Sequence, residues 1–203
     1  MLVKKRVLFV GAGGAVATKL LPELSRMYDI VGIAGQHREL EPYCLELFSG
    51  ELTTSYARLF EEAFSCHEFD AIVWNVVRFH PMPLIETSRG TLHLEMDLAI
   101  ALPLECLRAA LARGFSGSFI LVTSGLAFGV KPDRGSYSIT KRGQVILAEY
   151  LAAELGNRVH AKAVALGAIA DLSPDTLGRA FTRAIENQDA GTTVYAVYDD
   201  TWK

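Results

Sequence analysis

Three side chains in the middle of the chain could together move a proton. Tyr137 and Lys141 stand four residues apart in the segment Ser-Tyr-Ser-Ile-Thr-Lys, and Ser124 ends an apolar run thirteen residues before the tyrosine. Residues four apart on a helix share one face, so the lysine ammonium is expected near the tyrosine ring. A phenol titrates near pH ~10, and a nearby positive charge lowers that pKa. The spacing predicts Tyr137 as a general acid or base with a lowered pKa, although Tyr-x-x-x-Lys alone is also typical of a solvated helix face.

A glycine-rich turn near the N-terminus predicts a site for a dinucleotide. The apolar run 7–10 comes directly before the turn, an apolar helix follows it, and residues 70–75 supply another buried strand. Backbone amides in such a turn can approach a pyrophosphate at the positive end of the helix. Alternatively, small residues here only let the strand and the helix pack closely. The candidate cofactor-binding residues of the turn are Gly11, Gly13, Gly14, Ala15 and Val16.

The hydrophobic pattern alternates between strands and helices along the whole chain. Strands are predicted at about 6–10, 29–34, 43–47, 70–76, 117–123, 159–166 and 192–197, and helices at about 14–27, 53–65, 91–113, 136–156 and 174–187. Parallel strands joined by helices predict an α/β fold, with a doubly wound parallel sheet between two helical layers. The length fits one domain over residues 1–203. The loop 77–90 follows a strand end, where ligands bind in such sheets, and is either a substrate wall or an ordinary surface connection.

In this order, the glycine turn, the strand ending at Asn75, Ser124 and the Tyr-Lys pair resemble the short-chain dehydrogenases/reductases, a family with a Rossmann-like fold. The resemblance covers nearly the whole sequence. It implies that Tyr137 donates a proton to a carbonyl oxygen and that Ser124 hydrogen-bonds the same oxygen. It also implies that Lys141 binds the nicotinamide ribose and lowers the pKa of Tyr137.

Asp97 stands where this family carries an asparagine that holds a proton-relaying water. The resemblance therefore makes Asp97 the fourth catalytic candidate. Its charge would stabilise Lys141 as the ammonium and partly offset the effect of the lysine on Tyr137. The alternative is that Asp97 is only a polar residue of its helix.

Several positions depart from the family pattern and predict a reshaped dinucleotide groove. Ala15 and Ala17 replace glycines of the turn, and Val77 replaces the last glycine after the fourth strand. Leu166 and Gly167 stand where the family has Pro-Gly. The further cofactor-binding residues that the resemblance implies are Asn75, Val76, Gly167 and Ile169, together with Tyr137 and Lys141.

The residues after the second strand bear on the choice of cofactor. An Asp or Glu at that strand end would bind the adenosine ribose and indicate NAD, and none is present. His37 and Arg38 follow instead, and a guanidinium matches the geometry of a 2′-phosphate. NADP is therefore predicted, with NAD as the alternative, although Arg38 is equally typical of a solvated loop. The resemblance places Glu51 and Leu52 beside the adenine, whereas Glu51 would also suit the first turn of a helix.

Composition excludes several other classes of function. The net charge of −3 gives no basic footprint for nucleic acid. No apolar run reaches the ~18 residues of a membrane span, and residues 7–10 are too short for a signal-peptide core. Three separated cysteines fit reduced thiols in the cytoplasm, and the scattered histidines predict no metal site.

The sequence therefore predicts an NADP-dependent oxidoreductase that interconverts a carbonyl and an alcohol on a small organic substrate. The alternatives are a non-redox enzyme on the same scaffold, such as a dehydratase, cyclase or isomerase, and a cofactor-binding protein without turnover. Only 36 residues follow Gly167, which leaves little chain for a lid over the substrate. Broad apolar cover on the helices 91–113 and 136–156 predicts a homodimer or a homotetramer.

Overall fold

A seven-stranded parallel sheet forms the centre of the molecule. The computed structural model describes residues 3–35, 38–156 and 158–187 and the backbone of 194–197. The strands are β1 (Arg6–Val10), β2 (Asp29–Ala34), β3 (Glu46–Ser49), β4 (Ala71–Trp74), β5 (Gly117–Ser124), β6 (Val159–Leu166) and β7 (Val194–Val197). Their order in the sheet is β3-β2-β1-β4-β5-β6-β7, and every neighbouring pair is parallel. The predicted doubly wound α/β sheet is confirmed, and the order in which the chain adds strands to the sheet reverses between β1 and β4.

Helices cover both faces of the sheet. They are α1 (Ala15–Leu24), α2 (Leu52–Cys66), α3 (Arg89–Met96), α4 (Leu102–Ala112), α5 (Gly135–Leu155) and α6 (Pro174–Ile185). One hydrophobic core holds the buried faces of α1 and α6, and the other holds those of α2, α4 and α5. Because both faces are covered, strands such as β4 are buried at every residue and read as continuous apolar runs.

The helix predicted over residues 91–113 is interrupted by a π-helical turn, Asp97–Ala101. Pro103 follows in the first turn of α4 and has no N–H to donate to the carbonyl of residue 99, so the regular ladder cannot run through this point. The indole of Trp74 donates to the backbone oxygen of Leu98 at 2.8 Å, which ties β4 to the turn. The interruption therefore sits against the strand that leads to Asn75.

Two of the element boundaries that differ from the sequence prediction lie close to a proline. β3 begins at Glu46 rather than at residue 43, because Glu41–Tyr43 form a 3-10 turn that contains Pro42. The first helix ends at Leu24 rather than at residue 27, two residues after Pro22. The predicted start of β7 at residue 192 lies outside the described residues.

Within the described ranges, no helix combines the length and apolar character needed to cross a membrane. The same residues contain no cluster of three or more His, Cys, Asp or Glu side chains that could hold a metal ion. The three thiols are free, and burial raises the pKa of Cys44 to about 11. A raised pKa keeps the thiol protonated and unreactive. A cytoplasmic location remains a prediction.

Candidate active site

The carboxyl ends of β1, β4, β5 and β6 open into one cavity of about 460 Å³. Ser124 reaches it from the end of β5, and Tyr137 and Lys141 reach it from the first two turns of α5. The Thr123 hydroxyl donates to the backbone oxygen of Lys141 at 2.7 Å, which fixes α5 against β5. Most candidate residues from the sequence meet here: Gly14, Ala15, Val16, Asn75, Ser124, Tyr137, Lys141, Gly167 and Ile169.

Gly11 shapes the turn between β1 and α1. Its φ is +92°, and a Cβ at this position would lie 2.8 Å from the carbonyl carbon of Asn75. The Asn75 side chain closes the approach by donating to the Gly11 oxygen at 3.2 Å. Both the dihedral angle and the space therefore require glycine at this position.

The other residues of the turn leave the entrance to the cavity free. Gly14 caps α1 without any side-chain hydrogen bond, so the first-turn amides of the helix remain available to an anion. Ala17 is fully buried in the core, so its methyl group does not reshape the groove, contrary to the sequence prediction. Ala15 is exposed and lines the cavity, whereas Gly13 does not line it.

Replacing Gly11 with Ala tests whether the glycine turn binds the dinucleotide. The variant is expected to lose roughly 1–3 kcal/mol of stability, because a Cβ meets the Asn75 backbone at a positive φ. We also expect at least a tenfold weaker dinucleotide affinity, measured by fluorescence titration alongside thermal unfolding. Gly129→Ala is the matched control, since a Cβ there meets nothing within 4 Å. Normal cofactor binding by Gly11→Ala would show that the turn is not the cofactor site.

Ser124 is held in place by the segment that follows it. Its Oγ accepts a hydrogen bond from the Leu126 amide at 3.2 Å and caps the short 3-10 helix Gly125–Ala127. This contact uses a lone pair of Oγ and leaves the hydroxyl proton for another partner. The Ser124 side chain also hydrogen-bonds Tyr137, which lowers the pKa of the phenol.

The pKa of Tyr137 is nevertheless raised, because burial outweighs the hydrogen bond from Ser124. The Lys141 ammonium lies 5.6 Å from the centre of the tyrosine ring. The lysine is itself only 4% exposed, and burial lowers its pKa to about 7. The prediction that Lys141 lowers the pKa of Tyr137 is therefore wrong for the protein without ligands: desolvation disfavours the charged form of both groups.

The ammonium of Lys141 is anchored by two oxygen atoms. It donates to the backbone oxygen of Val122 at 2.7 Å and to Oε1 of Gln144 at 2.9 Å. Gln144 is fully buried and lies three residues after the lysine on α5, within reach of the same helix face. The sequence carried this signal, a long amide at helical spacing from Lys141, but the prediction overlooked it.

Asp97 does not join this arrangement. It lies on the π-helical turn with an exposed side chain, and it forms no ion pair with Lys141. The expected stabilisation of the ammonium by its charge is therefore wrong, because Lys141 turns toward Val122 and Gln144 instead. Its place in a water relay stays a prediction.

A second cavity of about 440 Å³ extends the groove along the same edge of the sheet. Val77 lines both cavities, so the two adjoin at this side chain. The second cavity is lined by the candidates Gly11, Glu51, Leu52 and Val76, together with Arg78. An elongated groove of this kind suits an extended ligand better than a compact one.

Of the two residues expected to select NADP, the one that the structure describes does not line the groove. Arg38 lines neither cavity, and its exposed guanidinium pairs with both carboxylate oxygens of Glu41 at 2.8 and 3.1 Å. His37 lies outside the described residues.

The loop 77–90 forms a wall of the first cavity. The Phe79 ring lies 4.9 Å from the Tyr137 ring, and the Arg134 guanidinium lies 4.5 Å from the Phe79 ring. Met82 donates its amide to the Asp133 oxygen at 3.1 Å, which joins the loop to the start of α5. The sequence singled out this loop but missed Phe79 and Arg134, because their meeting depends on a contact between distant segments.

No protein-family model and no curated protein matches the sequence. Solved structures do match it. A protein from Beutenbergia cavernae assigned as an NAD(P)-dependent gluconate 5-dehydrogenase, with bound NADP, is 18% identical, with a TM-score of 0.84 over 97% of this chain and 96% of that one. A short chain dehydrogenase from Mycobacterium smegmatis is also 18% identical, with a TM-score of 0.82 over 98% and 93%.

A third solved structure is 4-hydroxyisoleucine dehydrogenase complexed with NADH and succinate. It is 13% identical, with a TM-score of 0.79 over 94% of this chain and 96% of that one. At identities this low, the comparison shows that the proteins share a fold. The resemblance predicted from the sequence is confirmed at that level: this chain has the fold of the short-chain dehydrogenases/reductases.

Proposed function

We propose that the chain is an oxidoreductase that interconverts a carbonyl and an alcohol with a nicotinamide dinucleotide. One observation carries the proposal: the cavity that holds Ser124, Tyr137 and Lys141 is continuous with the glycine turn at the start of α1. A proton donor and a dinucleotide cradle in one cavity are what this chemistry needs.

The residues present fit a nicotinamide dinucleotide. Gly11 gives the close backbone approach that a Cβ would block, and the first turn of α1 has no side-chain cap. The two adjoining cavities give the groove the length of an extended cofactor. When bound, the nicotinamide supplies the hydride chemistry.

The side chains of the site divide the remaining work. Tyr137 carries the proton for the carbonyl oxygen, and its raised pKa keeps the phenol protonated at neutral pH, the form that donates during reduction. The Ser124 hydroxyl donates to the same oxygen, since its lone pair already accepts from Leu126. Lys141, with a pKa of about 7, gains and loses a proton near neutrality and is the residue that we propose returns a proton to the phenol. Phe79 contacts the Tyr137 ring edge-on and helps to hold it in the cavity.

Titration of the intrinsic fluorescence with NADPH and NADH, followed by addition of a carbonyl panel, tests this function. Saturable binding and oxidation of the bound cofactor by at least one carbonyl are the expected results. Tight binding without oxidation would favour a cofactor-binding protein. Absence of binding would favour a non-redox enzyme that uses Tyr137 as acid and base.

NADP remains the proposed cofactor because Arg38 follows β2, although its guanidinium lines neither cavity and would have to leave Glu41 to reach a 2′-phosphate. Its guanidinium already forms a two-pronged pair with a carboxylate, and a 2′-phosphate offers the same geometry. Arg38→Ala is expected to weaken NADPH binding about tenfold and to leave NADH binding nearly unchanged, as measured by titration. Equal losses for both cofactors would give Arg38 a structural role in its loop. Arg78→Ala is the parallel variant, because Arg78 lines the second cavity.

A homodimer is the proposed assembly, with a tetramer as the alternative. The outer face of α5 leaves Ile139, Ile146 and Tyr150 between 43% and 63% exposed. Met96 at the end of α3 is also exposed. Apolar side chains at helical spacing on one face are typical of a helix that packs against a partner.

Light scattering at micromolar concentration should give about twice the 22.2 kDa chain mass, or a multiple of it. Ile146→Glu is expected to shift the mass toward that of a single chain by placing a charge in the middle of this face. A monomer with full activity would contradict the assembly.

A further inference from the structure

Arg134 is a cation in the wall of the catalytic cavity that the proposed chemistry does not use. It stands three residues before Tyr137, at the residue that precedes α5, and it lines the same cavity as Ser124 and Tyr137. Its side chain is half-buried. Its Nη1 donates to the backbone oxygen of Asp133 at 3.3 Å, which engages one of five N–H groups.

No acidic side chain of the described residues pairs with Arg134. Among the residues that the structure describes, no carboxylate lies within 4 Å of its guanidinium, in contrast to Arg38, which is held by Glu41. Among the described residues that line the cavity, Arg134 and Lys141 are the basic side chains and none is Asp or Glu. Walls with one sign of charge raise the local concentration of ligands with the opposite sign.

Phe79 gives the guanidinium a fixed platform beside the phenol. Arg134 stacks on the Phe79 ring with its central carbon 4.5 Å from the ring centre, and the Tyr137 ring contacts Phe79 edge-on at 4.9 Å. A guanidinium stacked on a ring keeps its N–H edge free for a planar, two-oxygen partner. One aromatic ring therefore separates the cation from the proton donor, a spacing suited to a small organic molecule with two functional groups.

We propose that the substrate bears a carboxylate, and that Arg134, stacked on Phe79, binds this carboxylate while Tyr137 and Ser124 hold the reacting oxygen. The substrate class is then the short oxo acids and the corresponding hydroxy acids. This inference rests on the proposed oxidoreductase function. A carboxylate fits better than a bare anion because the remaining lining is largely apolar, as at Val77, Leu126 and Ile169, and accepts a short hydrocarbon chain.

Turnover of matched acids and esters tests the inference. A series of short straight-chain oxo acids and their methyl esters is assayed with NADPH, and kcat/KM for the best acid should exceed that for its ester at least tenfold. Arg134→Gln should lower kcat/KM for the acid by roughly 10- to 100-fold, the scale of a charge-assisted pair, and change the ester less than threefold. Arg134→Lys should fall between the two, because it keeps the charge and loses the planar fork. Equal use of acid and ester, or equal losses on both, would overturn the inference.

Arg142→Gln is the matched control. Arg142 also lies over a phenylalanine, 5.4 Å from the Phe128 ring centre, but neither residue lines the cavity. This variant removes the same charge and the same type of ring contact elsewhere on the protein. Its ratio of acid to ester turnover should match the wild type, and a reduced ratio would show that general surface charge, not Arg134, selects the acid.

A binding measurement separates this inference from the proposed function. Succinate, added with NADPH present, should raise the melting temperature of the wild type, and neither its dimethyl ester nor the Arg134→Gln variant should reproduce the shift. If no carbonyl is reduced but this pattern holds, the carboxylate site stands and the oxidoreductase proposal fails. If succinate gives no shift, or the same shift with Arg134→Gln, the carboxylate site fails. NADPH affinity should be the same in wild type and variant, since a loss there would assign Arg134 to the cofactor phosphates instead.

Discussion

Tyr137→Phe is expected to lower kcat for carbonyl reduction by ~10²-fold or more while the fold stays intact. The substitution removes only the hydroxyl, so the edge-on contact with Phe79 and the nearby Lys141 ammonium are kept. Cofactor affinity should therefore change little, and the loss should appear in the chemical step. Steady-state kinetics and a cofactor titration on the same preparation measure both quantities.

Tyr150→Phe is the control for this variant. Tyr150 lies on the same helix but is 63% exposed and lines neither cavity of the groove. Its loss of a hydroxyl should leave kcat within about twofold of the wild type. Normal turnover by Tyr137→Phe would remove the tyrosine from the chemistry and with it the proposed mechanism.

Lys141 should make the stability of the protein rise with pH above neutrality. Burial lowers its folded-state pKa to about 7, whereas the unfolded value is that of an ordinary lysine, ~10.4. Between these values the unfolded chain binds more protons than the native one, so the free energy of unfolding increases with pH. The gain from pH ~7 to ~9 is on the order of 2 kcal/mol, since one pKa unit corresponds to ~1.4 kcal/mol.

Lys141→Met isolates this effect. Methionine keeps an unbranched side chain of similar length and cannot be protonated, so the variant should lack that part of the pH dependence. Urea unfolding of both proteins across this pH range measures the difference between the two slopes. Parallel curves would mean that Lys141 keeps its charge in the folded protein, and a steeper rise for the variant would reverse the sign. Activity of the variant should also fall, because the phenol loses its proton relay.

The sequence predicted the meeting of Ser124, Tyr137 and Lys141 because each placement follows a local rule. A serine that ends a buried strand reaches the carboxyl edge of the sheet, and a four-residue spacing puts the tyrosine and the lysine on one helix face. The same edge receives the glycine turn, because β1 and β5 both flank β4 and run in one direction. The order and the parallel direction of the strands were therefore enough to predict that these residues meet.

The electrostatics of the site could not be predicted in this way. Whether Lys141 lowers the pKa of Tyr137 depends on how deeply both groups are buried, and burial depends on the packing of β5 against α5. The spacing alone fixes the distance between the two groups but not the dielectric around them. The direction of both pKa shifts follows from packing.

The residues that form the walls of the cavity could not be predicted from local sequence rules either. Phe79 and Arg134 are separated by more than fifty residues of sequence and meet because the loop 77–90 hydrogen-bonds to Asp133. The exposed position of Asp97 follows from the π-helical turn, which depends on the missing N–H of Pro103 and on the tie to Trp74. Such contacts join residues that no short window of sequence contains.

The most direct measurement of the central claim traces the hydride. The protein is mixed with NADPH that carries deuterium at the transferable position of the nicotinamide, together with the series of short oxo acids, and the product alcohol is examined by mass spectrometry. The account predicts one deuterium on the carbon that bears the new hydroxyl, formed by the wild type and reduced at least ~10²-fold in Tyr137→Phe. A product without deuterium, or no alcohol from any carbonyl while NADPH is bound, would contradict it.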